Sequence, residues 1–136
     1  MNNVIFVNFP VADLPRAISF YSALGFTNNP HFTDETAACM VWNEAINVML
    51  LTHEKWASFT TRPLPAAGSS EVMVALSLDS KAAVDAMNHA AGAHGGTADV
   101  NPAQDHGFMY GRDFTDPDGH VWGPFWMDVA AFAEGE

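Results

Sequence analysis

Basic residues and cysteines are both scarce in this sequence, and each shortage excludes a class of protein. Only 5 of the 136 residues are Lys or Arg, against 16 Asp and Glu. The resulting formal charge of −11 argues against nucleic-acid binding, which needs clustered basic side chains. The single cysteine, Cys39, excludes an intrachain disulfide and a cysteine-rich zinc site. The negative charge favours solubility and permits the attraction of cationic ligands.

Membrane, targeting and common catalytic motifs are also missing. No apolar run reaches the roughly 18 residues that a transmembrane helix needs. The start, Met1-Asn2-Asn3, is not a basic region followed by an apolar stretch, so we predict no signal peptide. We therefore expect a cytoplasmic protein that does not act on membranes. We find no glycine-rich phosphate loop, nucleophile elbow or zinc-binding HExxH helix.

The sequence contains enough apolar residues to form the core of one globular domain over residues 1–136. Hydrophobic residues make up 49% of the chain and charged residues only 15%. A faint internal repeat divides this domain, because an offset of 67 residues relates Val11 to Leu78 and Gly25 to Gly92. We predict two modules, at about residues 3–54 and 71–128. The Pro- and Gly-containing stretch at about 55–70 is predicted to be the linker.

Each module is predicted to contain one amphipathic helix after its first strand. The helices are expected at Leu14–Leu24 and Lys81–Ala91, with Asp13 and Ser80 as N-caps and Gly92 ending the second helix. Short runs of β-forming residues give each module the order βαβββ. The predicted strands are Val4–Val11, Ala37–Trp42, Ile46–Thr52, Glu71–Leu78, Phe108–Phe114 and Val121–Met127, with a weaker run at Thr97–Val100.

Four segments carry a resemblance to a known superfamily. Asp116–Gly119 forms a predicted tight turn that feeds an aromatic strand, and it resembles the last hairpin of the vicinal oxygen chelate superfamily. That superfamily includes glyoxalase I, extradiol dioxygenases, fosfomycin-resistance enzymes and bleomycin-binding proteins. Asn8–Leu14 is similar to its opening strand and helix. Thr33–Met40 and Gly107–Arg112 resemble a bacterial glyoxalase-like subgroup related to lactoylglutathione lyase.

The resemblance implies an α+β fold in which two βαβββ modules form an open, curled mixed β-sheet around a central cavity. It also implies a homodimer, and a divalent metal in the catalytic members. The superfamily's metal-ligand positions fall on Phe6, Met49, Met73 and Gly123. None of these offers the imidazole or carboxylate donors that such an ion needs. We therefore predict no cofactor and no metal site of the usual type, and we do not expect glyoxalase I activity.

What remains is a ligand cavity, predicted from strand alternation and from polar residues near it. On a strand, Arg112 needs an anionic partner, which is either a ligand carboxylate or a neighbour such as Asp116. Gly123 is predicted to leave open space. The candidate cavity residues are Phe6, Asn8, Met49, Leu51, Met73, Ala75, His106, Tyr110, Arg112, Gly123 and Phe125.

The leading functional hypothesis is a glyoxalase/bleomycin-resistance-like protein that binds a small organic ligand without a metal. The alternative is a lyase or dioxygenase relative that holds a divalent metal through displaced ligands such as His106 or Glu44. Asp105 next to His106 could orient that imidazole as a base, whereas a role as a turn residue at the pocket mouth is the competing interpretation.

Overall fold

The computed structural model describes residues 3–130, which divide into two compact units, one ending at Ser69 and the other beginning at Ser70. Each unit contains a four-stranded mixed sheet, so the predicted α+β fold with two modules is confirmed. The helices are α1 (Leu14–Ala23), α2 (His53–Phe59) and α3 (Lys81–Ala93), with a 3-10 helix at Pro30–Phe32. The strands are β1 (Ile5–Val11), β2 (Thr27–Asn29), β3 (Ala37–Val41), β4 (Ile46–Thr52), β5 (Met73–Ser77), β6 (Thr97–Asp105), β7 (Met109–Thr115) and β8 (Val121–Met127).

The two sheets repeat one topology. The strand order is β1-β4-β3-β2 in the first module and β5-β8-β7-β6 in the second, and the first pair listed is parallel in each. The register repeats as well, because Asn8 pairs with Met49 and Ala75 pairs with Gly123. Asn8 and Ala75 are separated by the same offset that the sequence repeat shows. The internal repeat therefore describes a structural duplication.

One face of each sheet is covered by its module's main helix, and this is where the core lies. In the first module, α1 buries Phe20 and Tyr21 completely, and the two rings meet edge to face at 5.1 Å. In the second, α3 packs against β6, β7 and β8, and Trp122 is the largest of the fully buried side chains. The opposite face of each sheet carries most of the candidate site residues described below. None of the described helices is long and apolar enough to cross a membrane.

The predicted helix starts are confirmed, but the end of α3 is not. Asp13 accepts a hydrogen bond from the amide of Arg16, and Ser80 accepts one from Ala83, both at 3.0 Å. The helix continues past Gly92, so the prediction that Gly92 ends it is wrong. A Cβ added there would lie 3.3 Å from the Cβ of Ala98. Glycine at this position thus lets α3 approach β6 closely.

Three further elements differ from the predictions. The weak run at Thr97–Val100 is the start of a longer strand, β6, which carries Pro102 and irregular register. This strand tolerates proline because it lies at the edge of its sheet. The short strand β2 was not predicted. The predicted linker begins inside a helix, α2, whose start is capped by the hydroxyl of Thr52.

Candidate functional site

The predicted cavity residues of the first module share the face of the sheet opposite α1. Pairing in register places Asn8 beside Met49 and Phe6 beside Asn47, and alternation adds Leu51 to the same face. Phe6 is 51% exposed, whereas Leu51 is buried. Asn47 is buried and accepts a weak hydrogen bond from the Cys39 thiol at 4.0 Å. This face is apolar with a few amide groups and no charged side chain among the residues named.

The corresponding face of the second module forms a groove of about 380 Å³. Four of the predicted residues line it, namely Met73, Ala75, Gly123 and Phe125. Most of the lining is apolar, and Gln104 and Asp113 supply its polar side chains. The full lining consists of Met73, Val74, Ala75, Gln104, Met109, Gly111, Asp113, Gly123, Pro124, Phe125 and Met127.

The space above Gly123 is occupied by the side chain of Asp113. A Cβ added at Gly123 would lie 2.8 Å from Asp113 Oδ1, which is closer than real Cβ atoms approach. The other carboxylate oxygen, Oδ2, accepts a hydrogen bond of 2.8 Å from Asn101 Nδ2. The prediction that Gly123 leaves open space is therefore wrong. The absent side chain instead makes room for a carboxylate from the neighbouring strand.

Tyr110 and Arg112 lie on the opposite face of β7 and do not line the groove. Arg112 donates two parallel hydrogen bonds to Asp99, the one from Nε measuring 2.8 Å, and a third of 3.0 Å to Asp85 on α3. The Tyr110 hydroxyl also donates to Asp85. Arg112 thus has internal anionic partners, although the suggested partner, Asp116, was wrong. These hydrogen bonds connect α3 and β6 to β7, whose opposite face carries Asp113.

These hydrogen bonds lower the pKa values of the Asp85 and Asp99 carboxyl groups. The guanidinium of Arg112 holds the pKa of Asp99 below its ordinary value. The pKa of Asp85 is lowered by the Tyr110 hydroxyl and next by Arg112. Asp99 has a positive φ of 54° and is held there by Asn88, whose side chain exchanges two hydrogen bonds of 3.2 Å with it.

His106 lies in the hairpin between β6 and β7 and is not part of the groove lining. Its backbone amide donates to the carbonyl of Met109 at 2.8 Å. The carboxylate of Asp105 accepts a hydrogen bond from the amide of Gly107 at 3.0 Å. These contacts are those of turn residues, and they support the turn interpretation of His106.

Residues 3–43 match the bleomycin resistance protein-like N-terminal family. No curated protein sequence matches the chain significantly. Among solved structures, hypothetical protein SA1046 from S. aureus is 26% identical, with a TM-score of 0.77 over 93% of this chain and 95% of that one. The family match in the first module and the shared fold agree with the resemblance to the vicinal oxygen chelate superfamily.

Two further solved structures share the fold at lower sequence identity. A glyoxalase/bleomycin resistance protein/dioxygenase family enzyme from Burkholderia phytofirmans PsJN is 18% identical, with a TM-score of 0.76 over 93% of this chain and 99% of that chain. The fosfomycin resistance protein FosX from Mesorhizobium loti is 15% identical, with a TM-score of 0.69 over 98% of both chains. At these identities the similarity establishes the fold alone.

The superfamily's metal positions do not fit a metal in this chain. Phe6 and Gly123 offer no donor atom, and Met49 and Met73 offer only thioether sulfur, which divalent Mn, Fe, Ni and Zn disfavour. Within residues 3–130, no three His, Cys, Asp or Glu side chains are grouped so that they could hold an ion. His106 and Glu44, suggested as displaced ligands, therefore belong to no such group.

The contacts of Arg112 predict how stability depends on pH. Because the pKa values of Asp85 and Asp99 are lowered from 3.8, their stabilising contribution is present above about pH 4 and is lost as the pH falls through the lowered values. Both carboxylate side chains are about half exposed, which limits the contribution. We expect Arg112→Met to lower the free energy of unfolding by about 1 kcal/mol at pH 7.

Urea unfolding at pH 7, 5 and 3, followed by circular dichroism, measures this difference. The gap between the native protein and Arg112→Met should narrow toward pH 3. The matched control is Arg62→Met, at an exposed position, which should change stability little at any pH. A gap of constant size would show that Arg112 stabilises the module through packing and not through its charge.

Proposed function

We propose that this protein binds a small organic ligand in the groove of its second module without a metal ion. The groove itself is the observation that carries this proposal. Its volume of about 380 Å³ lies within the range of small-molecule sites. Its walls are mainly apolar, and its few polar side chains could fix the orientation of a ligand.

The side chains that line the groove support reversible binding of an apolar ligand. Met73, Met109 and Met127 contribute flexible side chains that adapt to different shapes, and Phe125 contributes an aromatic surface. Met73 is 64% exposed, so it has apolar area that a ligand could cover. We do not assign catalysis, because the described groove lining contains no Ser, Thr, Cys, Lys or His that could act as a nucleophile or base.

Blocking the groove tests the proposal. Ala75 is exposed in the groove, and Ala75→Phe should fill it and weaken binding of 1-naphthalenemethanol at least tenfold, measured by calorimetric titration. The matched control is Ala86→Phe on the exposed side of α3, which should bind like the native protein. Equal affinity in all three proteins would place binding elsewhere, and no binding by the native protein would remove support for the groove.

Metal removal tests the other part of the proposal. We expect untagged protein to contain less than stoichiometric Ni, Zn, Fe or Mn by elemental analysis. Treatment with EDTA should leave both the melting temperature and naphthalenemethanol binding unchanged. A stoichiometric metal that is lost in His106→Ala or Glu44→Ala would instead support the lyase or dioxygenase alternative.

We further propose, from resemblance to the superfamily, that the protein is a cytoplasmic homodimer. Light scattering on the purified protein measures the assembly, and a monomer at micromolar concentration would contradict it.

A further inference from the structure

One charged side chain lies in the groove of the second module. Asp113 projects from β7 over Gly123, and Asn101 holds its outer oxygen in place. The charge therefore has a fixed position within the groove and is not at the end of a mobile side chain. Asp113 is also partly shielded from solvent.

The residues around Asp113 leave its charge available to a ligand. Among the described residues that line the groove, none is Lys, Arg or His. The preceding residue, Arg112, projects to the other face of β7, where Asp85 and Asp99 bind its guanidinium. A carboxylate flanked by apolar walls, with no basic side chain in the same groove, favours a cation that enters from solvent.

We propose that the groove selects organic cations, namely an amine or ammonium group attached to an apolar body, and that Asp113 is the residue that determines this selectivity. This inference rests on the proposed function. The apolar part of the ligand would contact the methionines and Phe125, and its cationic group would lie against the Asp113 carboxylate. The overall charge of −11 would raise the local concentration of such ligands but would not distinguish this groove from the remaining surface.

Three naphthalene compounds of similar size separate charge from apolar burial. They are 1-naphthylmethylamine, which is cationic at pH 7, the neutral 1-naphthalenemethanol and the anionic 1-naphthoate. We expect the native protein to bind the amine at least tenfold more tightly than the alcohol, and the naphthoate more weakly than either. The preference for the amine should shrink as salt is raised, because the carboxylate is only partly shielded.

Asp113→Asn should abolish the preference for the amine while leaving affinity for the alcohol within about twofold. Asp79→Asn is the matched control, since it removes the same charge at an exposed position outside the groove lining. It should keep the preference. A second variant, Gly123→Ala, places a methyl group where the Asp113 carboxylate lies and should also weaken the preference. Circular dichroism verifies that each variant is folded.

The outcomes distinguish the two proposals. If none of the three compounds binds the native protein, the proposed function fails. If all three bind with similar affinity, ligand binding stands and the selectivity for cations is overturned. The selectivity of Asp113 is also overturned if Asp113→Asn and Asp79→Asn retain the same preference for the amine.

Discussion

Trp122→Ala should lower the free energy of unfolding by about 3–5 kcal/mol, the range for removing a large buried aromatic side chain. Trp122 is 1% exposed and lies on the face of β8 that α3 covers, between Val74 on β5 and Phe114 on β7. The loss combines reduced apolar burial with a cavity that neighbouring side chains fill only in part. Such a loss is a large share of the roughly 5–15 kcal/mol that stabilises an ordinary domain.

Trp126→Ala is the matched control on the same strand and the same face. Trp126 is only partly buried, and its ring lies 5.5 Å from the ammonium group of Lys81. We expect a loss of about 1 kcal/mol for this variant, from a partly exposed ring and a weak cation–π contact. Urea unfolding followed by far-ultraviolet circular dichroism measures both variants without relying on tryptophan fluorescence. Similar losses in the two variants would contradict the central position of Trp122 in the core.

The elements of the fold could be predicted because their signals are local. A capping side chain and an apolar stripe mark the start and face of each main helix, so the starts at Asp13 and Ser80 were correct. The positive φ of Gly119 is likewise a property of one turn. The prediction that Gly92 ends α3 is wrong because the role of this glycine depends on its contact with Ala98, which is on a different element. A glycine that ends a helix and a glycine that permits close packing look alike in sequence.

The groove was harder to predict because β7 shows no clear alternation of apolar and polar residues. The sequence favours Tyr110 and Arg112 as cavity residues, whereas Met109 and Asp113, which alternate with them, line the groove. The tight turn contained the missing signal, since it pairs Thr115 with Val121 and thereby gives Asp113 and Gly123 the same face. Predicting that the Asp113 carboxylate lies where a Cβ of residue 123 would be still requires the strand geometry.

Asp116→Ala should lower the free energy of unfolding by about 2–3 kcal/mol, because it leaves two backbone amides of the turn without their acceptor. Asp116 is 2% exposed, and its Oδ1 accepts hydrogen bonds of 2.9 Å from the amides of both Asp118 and His120. Charge-assisted bonds of this kind are among the stronger hydrogen bonds in proteins. Urea unfolding measures the loss, and Asp116→Asn should lose about half as much because its amide oxygen can still accept.

Asp116→Ala also tests whether the turn sets the position of the Asp113 carboxylate in the groove. The turn fixes the pairing of β7 with β8, and this pairing brings the carboxylate of Asp113 over Gly123. A looser turn lets the two strands shift, which separates that carboxylate from its place above the glycine. We therefore expect Asp116→Ala, under conditions where it remains folded, to lose part of the preference for 1-naphthylmethylamine over 1-naphthalenemethanol, whereas Asp116→Asn keeps most of it. An unchanged preference in the alanine variant would show that the sheet holds its register without the turn.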